Sequence, residues 1–324
     1  MPSTRKGHCS PYHAADLRKN SPWFRDGISK HRDQEEEKSC YDLPALLKMA
    51  RAHNKKNLTK KIDLTISKEE LWNQIDAALA SQCLGRHESC FLRHLGEEIE
   101  TSAKEAERTY FRPEMPESWS KNNPHVWLTN QDILYVAKQY MHLFRNFLFY
   151  GPVPRDFAHP VSMANSVSST IRKGDLCLVP ELCHINIEAL SKKKKTKIGV
   201  IYNTDFHEQP GEHWVASFFD LDRKYPKIFY FDSIAHDPPI EIYEFLTATA
   251  RKMSFTLKKT VEVQINRHRL QFSNSECGVY CLHFLVCMLH HDDVHTFENY
   301  ISRFGLNDAH MHKFRSTFFR PREK

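Results

Sequence analysis

Cys277 stands where a polar loop meets a long apolar segment. The segment from Cys277 to Leu289 is long enough to predict a buried helix. Three residues of the loop are candidates for its N-cap oxygen: Ser273, Asn274 and Ser275. A thiol at the start of a helix is easily ionised, because the unpaired N–H groups and the helix dipole stabilise a thiolate. Cys277 is therefore predicted to be a nucleophile; the alternative is a buried core thiol, as in most apolar helices.

A base for this thiol is predicted at His213. It begins a short alternating run that favours a strand, and a second such run ends at Asp232. The polar, Pro-ending segment between the runs fits a hairpin loop, so antiparallel pairing would bring His213 and Asp232 together. A carboxylate beside an imidazole holds its tautomer and stabilises the imidazolium. Asp220 and Asp222 are the alternatives for this acid, but both fall in the predicted loop, away from the strand end.

Helices and strands in irregular succession predict an α+β core that positions these groups. A helix capped by Thr129 or Asn130 is expected to run through Phe147. The later elements are a strand at 198–202, the hairpin, a helix at 239–253, a strand at 261–265, the nucleophile helix and a last helix at 308–319. The segment 160–177 is predicted to be a loop.

Three ranges divide the chain. Residues 1–40 are polar and are predicted to form a flexible tail. Residues 41–115 are predicted to form a small helical accessory domain, with a helix opening at Pro44, a capping box of Ser67 and Glu70, and a helix at about 91–108. A connector that carries prolines separates it from the core domain at 116–324.

Composition limits the class of protein. The 324 residues are 40% hydrophobic, enough for a substantial core, and the net charge of +6 is compatible with nucleic acid or acidic partners. The start of the sequence has no apolar h-region, and no apolar run reaches the length of a membrane span. Nine cysteines without framework spacing indicate a reducing compartment. An intracellular protein that is not secreted is expected.

Other clusters of reactive residue types have ordinary explanations. The histidine-rich segment 290–295 lies at a predicted helix end, where exposed polar residues are common, and neither Cys83 with Cys90 nor Cys177 with Cys183 has zinc-site spacing. No metal and no cofactor are predicted. The lysine run is either a solvated loop or a weak non-specific contact for nucleic acid; it consists of Lys192, Lys193, Lys194 and Lys195.

These motifs together resemble a known group of enzymes. His213-Trp214, then Asp232, then Gln271 six positions before Cys277-Gly278, is similar to the clan of SUMO-deconjugating proteases and the adenovirus protease. Closer similarity is to the polyprotein-processing cysteine proteases of African swine fever virus and related large DNA viruses. The segments that carry it are Asn203-Thr-Asp-Phe, Gly211-Glu-His-Trp, Ser275-Glu-Cys-Gly and Met311-His-Lys-Phe-Arg. The swine fever enzyme has Asn where this chain has Asp232, and either residue can orient the imidazole.

The resemblance implies a mixed central sheet and a buried helix that carries the nucleophile. It implies a cysteine endopeptidase that processes viral structural polyproteins after Gly-Gly-X motifs during virion maturation, in the host cytoplasm and inside the virion. His213, Asp232 and Cys277 would form the triad. Gln271 would donate its side-chain amide to the oxyanion, with the Cys277 N–H as second donor.

The resemblance also suggests residues that bind substrate. Trp214 would wall a narrow channel that admits only Gly-like residues, and Trp127 would stand opposite, by similarity to the deconjugases. Asn203 would either bond near the site or cap a turn.

Three alternative functions remain open at this stage. A deconjugase for a SUMO-like or ubiquitin-like modifier would use the same catalytic groups on another substrate. An acetyltransferase is an alternative of a different class, since some bacterial effectors use a His/acid/Cys set for transfer from acetyl-CoA. A binding module without activity is disfavoured, because no member of the catalytic set is missing.

Overall fold

The computed structural model describes residues 9–11, 39–83, 88–95, 103–119, 126–158, 177–222 and 224–322. The chain divides into two compact units. The helical unit comprises Met1–Glu117 and Ser316–Lys324, and the sheet unit comprises Ser118–Arg315. Grouping the last residues with the helical unit differs from the predicted range of 116–324. The reason is Arg320, whose buried guanidinium pairs with the carboxylates of Glu107 and Glu114.

The helical unit is built on locally encoded helices. They are α1 (Leu43–Lys56), α2 (Lys68–Ala78), α3 (Ser89–Leu95) and α4 (Ala103–Tyr110). Asp42 caps α1 ahead of Pro44, and the predicted capping box of Ser67 and Glu70 opens α2. The helix predicted at about 91–108 falls on the two described helices α3 and α4, and residues 96–102 between them lie outside the described residues.

Cysteine pairing also departs from the expectation of free thiols. Six of the nine cysteines form three disulfides: Cys9–Cys40, Cys83–Cys90 and Cys177–Cys183. Most of the predicted flexible tail lies outside the described residues, but Cys9 and Ser10 are buried. The Ser10 N–H donates to the Tyr110 carbonyl at 2.8 Å. This short piece of the tail is therefore anchored, through contacts that its polar composition did not reveal.

The sheet unit contains one five-stranded mixed sheet in the order β1-β2-β3-β4-β5. Its strands are β1 (Phe147–Pro154), β2 (Lys197–Asn203), β3 (Trp214–Asp220), β4 (Lys227–Phe231) and β5 (Glu262–Ile265). The outer pairs β1·β2 and β4·β5 are parallel, and β2·β3 and β3·β4 are antiparallel. The helices that complete the chain are α5 (Asn130–Leu143), α6 (Pro180–Cys183), α7 (Ile187–Lys192), α8 (Ile240–Leu257), α9 (Cys277–His290), α10 (Phe297–Phe304) and α11 (Asp308–Phe318).

The core of this unit lies on both faces of the sheet. On one face, apolar side chains of β2, β3 and β4 form a cluster with residues of α8, including Leu246 and Met253. Helix α9 packs against β3, and its side chains from Cys277 to Leu289 are all buried. A helix that is apolar all round must be enclosed. The prediction of an α+β fold with a buried helix that carries Cys277 is confirmed.

Helix α5 ends earlier than predicted, and the strand β1 that follows it is not among the predicted elements. Thr129 caps α5 as expected, with Asp132 completing a capping box, but the helix ends at Leu143 and not at Phe147. Phe147 instead begins β1, because its aromatic-rich run favours a strand. Among the helices that the structure describes, none is both long and apolar enough to cross a membrane.

Candidate active site

His213 and Asp232 meet at one end of the β3–β4 hairpin. His213 directly precedes β3 and Asp232 directly follows β4, and the antiparallel register pairs Ala216 with Phe231. His213 Nε2 lies 2.7 Å from Asp232 Oδ1. The predicted hairpin therefore brings the imidazole and the carboxylate together.

The Asp232 carboxylate is held in place by backbone donors. Its Oδ1 also accepts from the Ile234 N–H at 2.9 Å, and its Oδ2 accepts from the His236 N–H at 3.3 Å. The two alternative acids lie at the other end of the hairpin. Asp220 is paired with Lys197 across the sheet, and Asp222 accepts from the Thr196 hydroxyl. The structure thus places Asp232, and neither alternative, beside the imidazole.

Cys277 is the first residue of α9 and is a free, buried thiol. The Cys277 side chain interacts with the His213 imidazole and raises its pKa. Since Nε2 faces Asp232, the other ring nitrogen is the one left for the thiol. The predicted capping was wrong: the N-cap is Glu276, and no side-chain oxygen caps α9. The N–H groups at the start of the helix therefore keep their positive potential for the sulfur and for an oxyanion.

Burial and local charges set the protonation of the imidazole. Burial lowers the pKa of His213, but hydrogen bonds to Asp232 and Cys277 and their negative charges outweigh burial and raise this pKa to about 9. At neutral pH His213 is therefore protonated, as a thiolate–imidazolium pair requires. Further along α9, burial raises the pKa of the Cys281 and Cys287 thiols well above the ordinary range. These two cysteines are core residues.

Gln271 is hydrogen-bonded to Ser233, the residue after Asp232. The Ser233 hydroxyl donates to Gln271 Oε1 at 2.7 Å, and Gln271 Nε2 donates to the Ser273 carbonyl at 2.7 Å. A carboxamide nitrogen carries two hydrogens, so one N–H remains for an oxyanion. In the sequence, only the position of Ser233 next to Asp232 marks it as a candidate for this role.

Two tryptophans contact the segments next to Cys277. Trp214 is buried and donates its indole N–H to the Leu128 carbonyl at 3.1 Å, while Trp127 is 42% exposed and donates to the Asn274 carbonyl at 2.5 Å. A side chain on Gly278 would meet Leu128 at 3.1 Å and Trp214 at 3.2 Å. The segment around Leu128 is therefore packed tightly between the start of α9 and the histidine-bearing strand. Substrate binding by the two tryptophans stays a prediction.

Asn203 lies at the end of β2, ahead of the loop that leads to His213. Its Oδ1 accepts from the Asp205 N–H at 2.9 Å. Gly211, in a left-handed conformation with φ +92°, has no side chain and leaves room for the Asn203 amide. The turn-capping alternative describes this geometry; a contact with substrate stays a prediction.

The lysine run has local partners. Lys192 pairs with Glu188 at 2.7 Å on α7, and Lys195 Nζ donates to the carbonyls of Arg145 and Phe147. Lys193 and Lys194 are exposed.

Two groups of metal-binding residue types occur among the residues that the structure describes. They are Cys83, Cys90 and His94, and Cys9, Cys40 and Glu88. Each group contains a disulfide, and disulfide sulfurs lack the thiolate charge of a metal ligand. In this oxidised form neither group has the donor set of a zinc site.

The site combines a thiol at the start of a buried helix with an imidazole and a carboxylate at the ends of neighbouring strands. This is the arrangement of a cysteine protease, and the chain belongs to that class of enzyme. A putative thiol protease of Acanthamoeba polyphaga mimivirus is 27% identical over 305 residues, which are 89% of this chain and 91% of that protein. A cysteine protease of African swine fever virus is 34% identical over 143 residues, which are 43% of this chain and 50% of that enzyme.

A solved structure and a family model also match the chain. The crystal structure of the African swine fever virus protease has the same fold, with a TM-score of 0.57 and 21% identity over 79% of this chain and 91% of that one. The model of the family described as YopJ Serine/Threonine acetyltransferase matches residues 170–309. This match spans both His213 and Cys277. The predicted relation to the proteases of large DNA viruses is confirmed by sequence and fold.

Proposed function

We propose that this cysteine protease is an endopeptidase that cleaves viral structural polyproteins after Gly-Gly-X motifs. One observation carries the proposal: His213 is hydrogen-bonded to Asp232 and interacts with the side chain of Cys277 at the start of α9. An imidazole held in this way can protonate a leaving amine and then activate water. The kinship with thiol proteases of large DNA viruses supports a viral precursor as the substrate.

The proposed reaction is acyl transfer through a thioester. The Cys277 thiolate attacks the peptide carbonyl, a C–S bond forms, and the carbonyl electrons move to oxygen, where Gln271 and the Cys277 N–H stabilise them. Collapse breaks the C–N bond, and the amine leaves with the proton from His213. Water then attacks the thioester and gives a proton to His213; the C–S bond breaks to release the carboxylate product and the thiolate.

A narrow channel formed by Trp214 and Trp127 would select Gly-like residues. The support is the tight packing around Gly278, which leaves little room between Leu128 and Trp214. Cleavage of a peptide library tests this preference. We expect cleavage of Gly-Gly-X peptides, strong loss when either Gly becomes Ala, and no cleavage by Cys277→Ala. Cleavage by Cys277→Ala, or indifference to the two glycines, would contradict the proposal.

A deconjugase is the second candidate function. It is favoured by the names of other African swine fever virus relatives, which are called SUMO-1 cysteine proteases. Incubation with SUMO and ubiquitin conjugates beside the Gly-Gly-X peptides separates the two functions. Faster release of the modifier than cleavage of the peptides would favour the deconjugase. Transfer of labelled acetyl-CoA in the same assay tests the acetyltransferase alternative, to which the family-model match points.

We also propose that the enzyme acts in the host cytoplasm and inside the virion, where weak contact with nucleic acid would keep it near its precursors. Lys193 and Lys194 are exposed and available for this contact, whereas the exposed Lys192 pairs with Glu188. Salt-dependent binding to double-stranded DNA that weakens in Lys193→Ala/Lys194→Ala is expected. An affinity for DNA that changes neither with salt concentration nor with these substitutions would contradict the nucleic-acid contact. Detection of the enzyme only outside purified virions would contradict the location.

A further inference from the structure

Helix α11 lies against the loop that leads to the nucleophile. We call Phe272–Glu276 the nucleophile loop; Gln271 precedes it and Cys277 follows it. Two charged residues of α11, Asp308 and Arg315, contact this loop at its two ends. They are seven residues apart, which is about two helical turns, so they project from the same face of the helix.

Asp308 holds the end of the loop next to Gln271. Its Oδ2 accepts from the Phe272 N–H at 2.9 Å and from the Ser273 N–H at 2.8 Å. Ser273 in turn accepts from the Gln271 amide. The Tyr280 hydroxyl of α9 lies 3.2 Å from Asp308 Oδ1. One carboxylate therefore fixes the backbone on which the proposed oxyanion donor rests.

Arg315 holds the other end of the loop, next to Cys277. Its Nε donates to Glu276 Oε2 at 2.8 Å, and its Nη2 donates to the Ser275 carbonyl at 3.1 Å. The third nitrogen, Nη1, donates to the Val126 carbonyl at 2.9 Å, immediately before Trp127. A single guanidinium thus joins the nucleophile loop to the segment that carries one of the channel tryptophans.

Arg315 and Glu276 form a buried ion pair, with 4% and 2% of their side chains exposed. Replacing a buried pair with apolar residues often leaves stability unchanged or improved, so stability alone is a weak explanation for it. The pair does have an electrostatic consequence at the site. Glu276 precedes the nucleophile, and an unpaired carboxylate there would oppose formation of a thiolate. Arg315 offsets that charge while it orients the loop.

We propose that α11 acts as a two-point clamp in which Asp308 and Arg315 are positioning residues for catalysis. Asp308 sets the oxyanion side through Gln271, and Arg315 sets the nucleophile side through Glu276 and Ser275. The proposal rests on the proposed role of Cys277 as nucleophile. Substitutions at the two clamp residues should cause different defects: only a change at Arg315 should alter the reactivity of the Cys277 thiol.

Two substitutions test the clamp, Arg315→Lys and Asp308→Asn, with Arg303→Lys as the matched control. Arg303 pairs with Asp293 at 2.5 Å, beyond the far end of α9, which is about 20 Å from Cys277 at 1.5 Å per residue. Kinetics on a Gly-Gly-X peptide and the alkylation rate of Cys277 by iodoacetamide are measured for each variant. Misplaced reacting groups cost about 10–100-fold.

Arg315→Lys is expected to lower both kcat and the alkylation rate by about 10–100-fold. Asp308→Asn is expected to lower kcat about tenfold and to leave alkylation within about twofold of the parent. The control should match the parent in both measurements. The proposal would be overturned if Arg315→Lys had the same kcat and alkylation rate as Arg303→Lys. It would also be overturned if both clamp variants lost alkylation rate equally.

A second variant separates positioning from folding. Arg315→Met/Glu276→Met removes both buried charges, so its melting temperature should stay close to that of the parent while kcat falls. Parent-like kcat in this variant would overturn the clamp. Cleavage by Cys277→Ala would instead contradict the proposed function, and the alkylation rates would still decide the role of Arg315.

Discussion

His213 Nε2 lies 2.7 Å from Asp232 Oδ1, although 19 residues separate the two along the chain. The β3–β4 hairpin creates this contact, and the backbone donors of Ile234 and His236 keep the carboxylate in place. The imidazole is therefore fixed on one side before any substrate arrives, and its other ring nitrogen is left for the Cys277 thiol. Preorganisation of this kind spares the reaction the cost of orienting its groups.

The pH dependence of kcat/KM should report on His213. Because the pKa of His213 is raised to about 9, activity is expected to fall as the pH rises through that value and the imidazolium loses the proton that the leaving amine needs. Asp232→Asn removes a charge that raises this pKa, so the alkaline limb should move to lower pH. An alkaline limb that stays at the same pH in Asp232→Asn would show that another group controls it.

Ser233→Ala should impair catalysis more than folding. The substitution removes the hydrogen bond that orients Gln271 Oε1, so kcat is expected to fall about tenfold or more, with a stability cost of about 1 kcal/mol. Ser217→Ala is the control, since Ser217 is a buried serine of β3 bonded to the Tyr202 hydroxyl at 2.7 Å. Comparable melting temperatures with unequal kcat are expected; equal kcat would contradict the role of Ser233.

Gly278→Ala should alter substrate binding. The added methyl would lie 3.1–3.2 Å from Leu128 and Trp214, so one wall of the proposed channel must shift. KM for a Gly-Gly-X peptide is expected to rise, while the helix propensity of Ala offsets part of the packing cost. The control is Gly305→Ala, where the left-handed φ of +53° strains the backbone but nothing lies within 4 Å. If both variants keep the parent KM, Gly278 does not shape the channel.

The disulfide pairing can be tested by counting the cysteines that react with iodoacetamide. Unfolded without reductant, the protein should take up iodoacetamide at three cysteines, Cys277, Cys281 and Cys287. After reduction the count should be nine. Cys9–Cys40 closes a loop of 31 residues, and in the loop-entropy account a loop of that length stabilises by about 3–4 kcal/mol. Reduction should therefore lower the melting temperature, and nine labelled cysteines without reductant would refute the pairing.

Local signals predicted much of this structure. The capping box at Ser67 and the N-cap at Thr129 are short-range patterns, and both open helices in the structure. The alternating runs around His213 and Asp232 determined the hairpin, because period-two patterns and a Pro-bearing turn act over few residues. The apolar run after Cys277 likewise predicted a buried helix.

Long-range contacts explain what was missed. Glu276 caps α9 without a side-chain bond, since its carboxylate is drawn to Arg315, 39 residues later. Disulfide partners have no consistent spacing, so only the folded chain reveals them. The helix predicted to run through Phe147 ends earlier, because pairing with β2 makes Phe147 a strand residue. These outcomes depend on tertiary packing, which overrides local preference.

Covalent trapping tests the central claim most directly. A Gly-Gly peptide that carries a thiol-reactive group at its carboxyl end is incubated with the native protein, and the modified residue is identified by peptide mapping. Cys277 should be the labelled residue, and His213→Ala should abolish the labelling while Cys281 and Cys287 stay unmodified. Labelling at another residue, or labelling of Cys277 at the parent rate in His213→Ala, would contradict a thiol activated by His213.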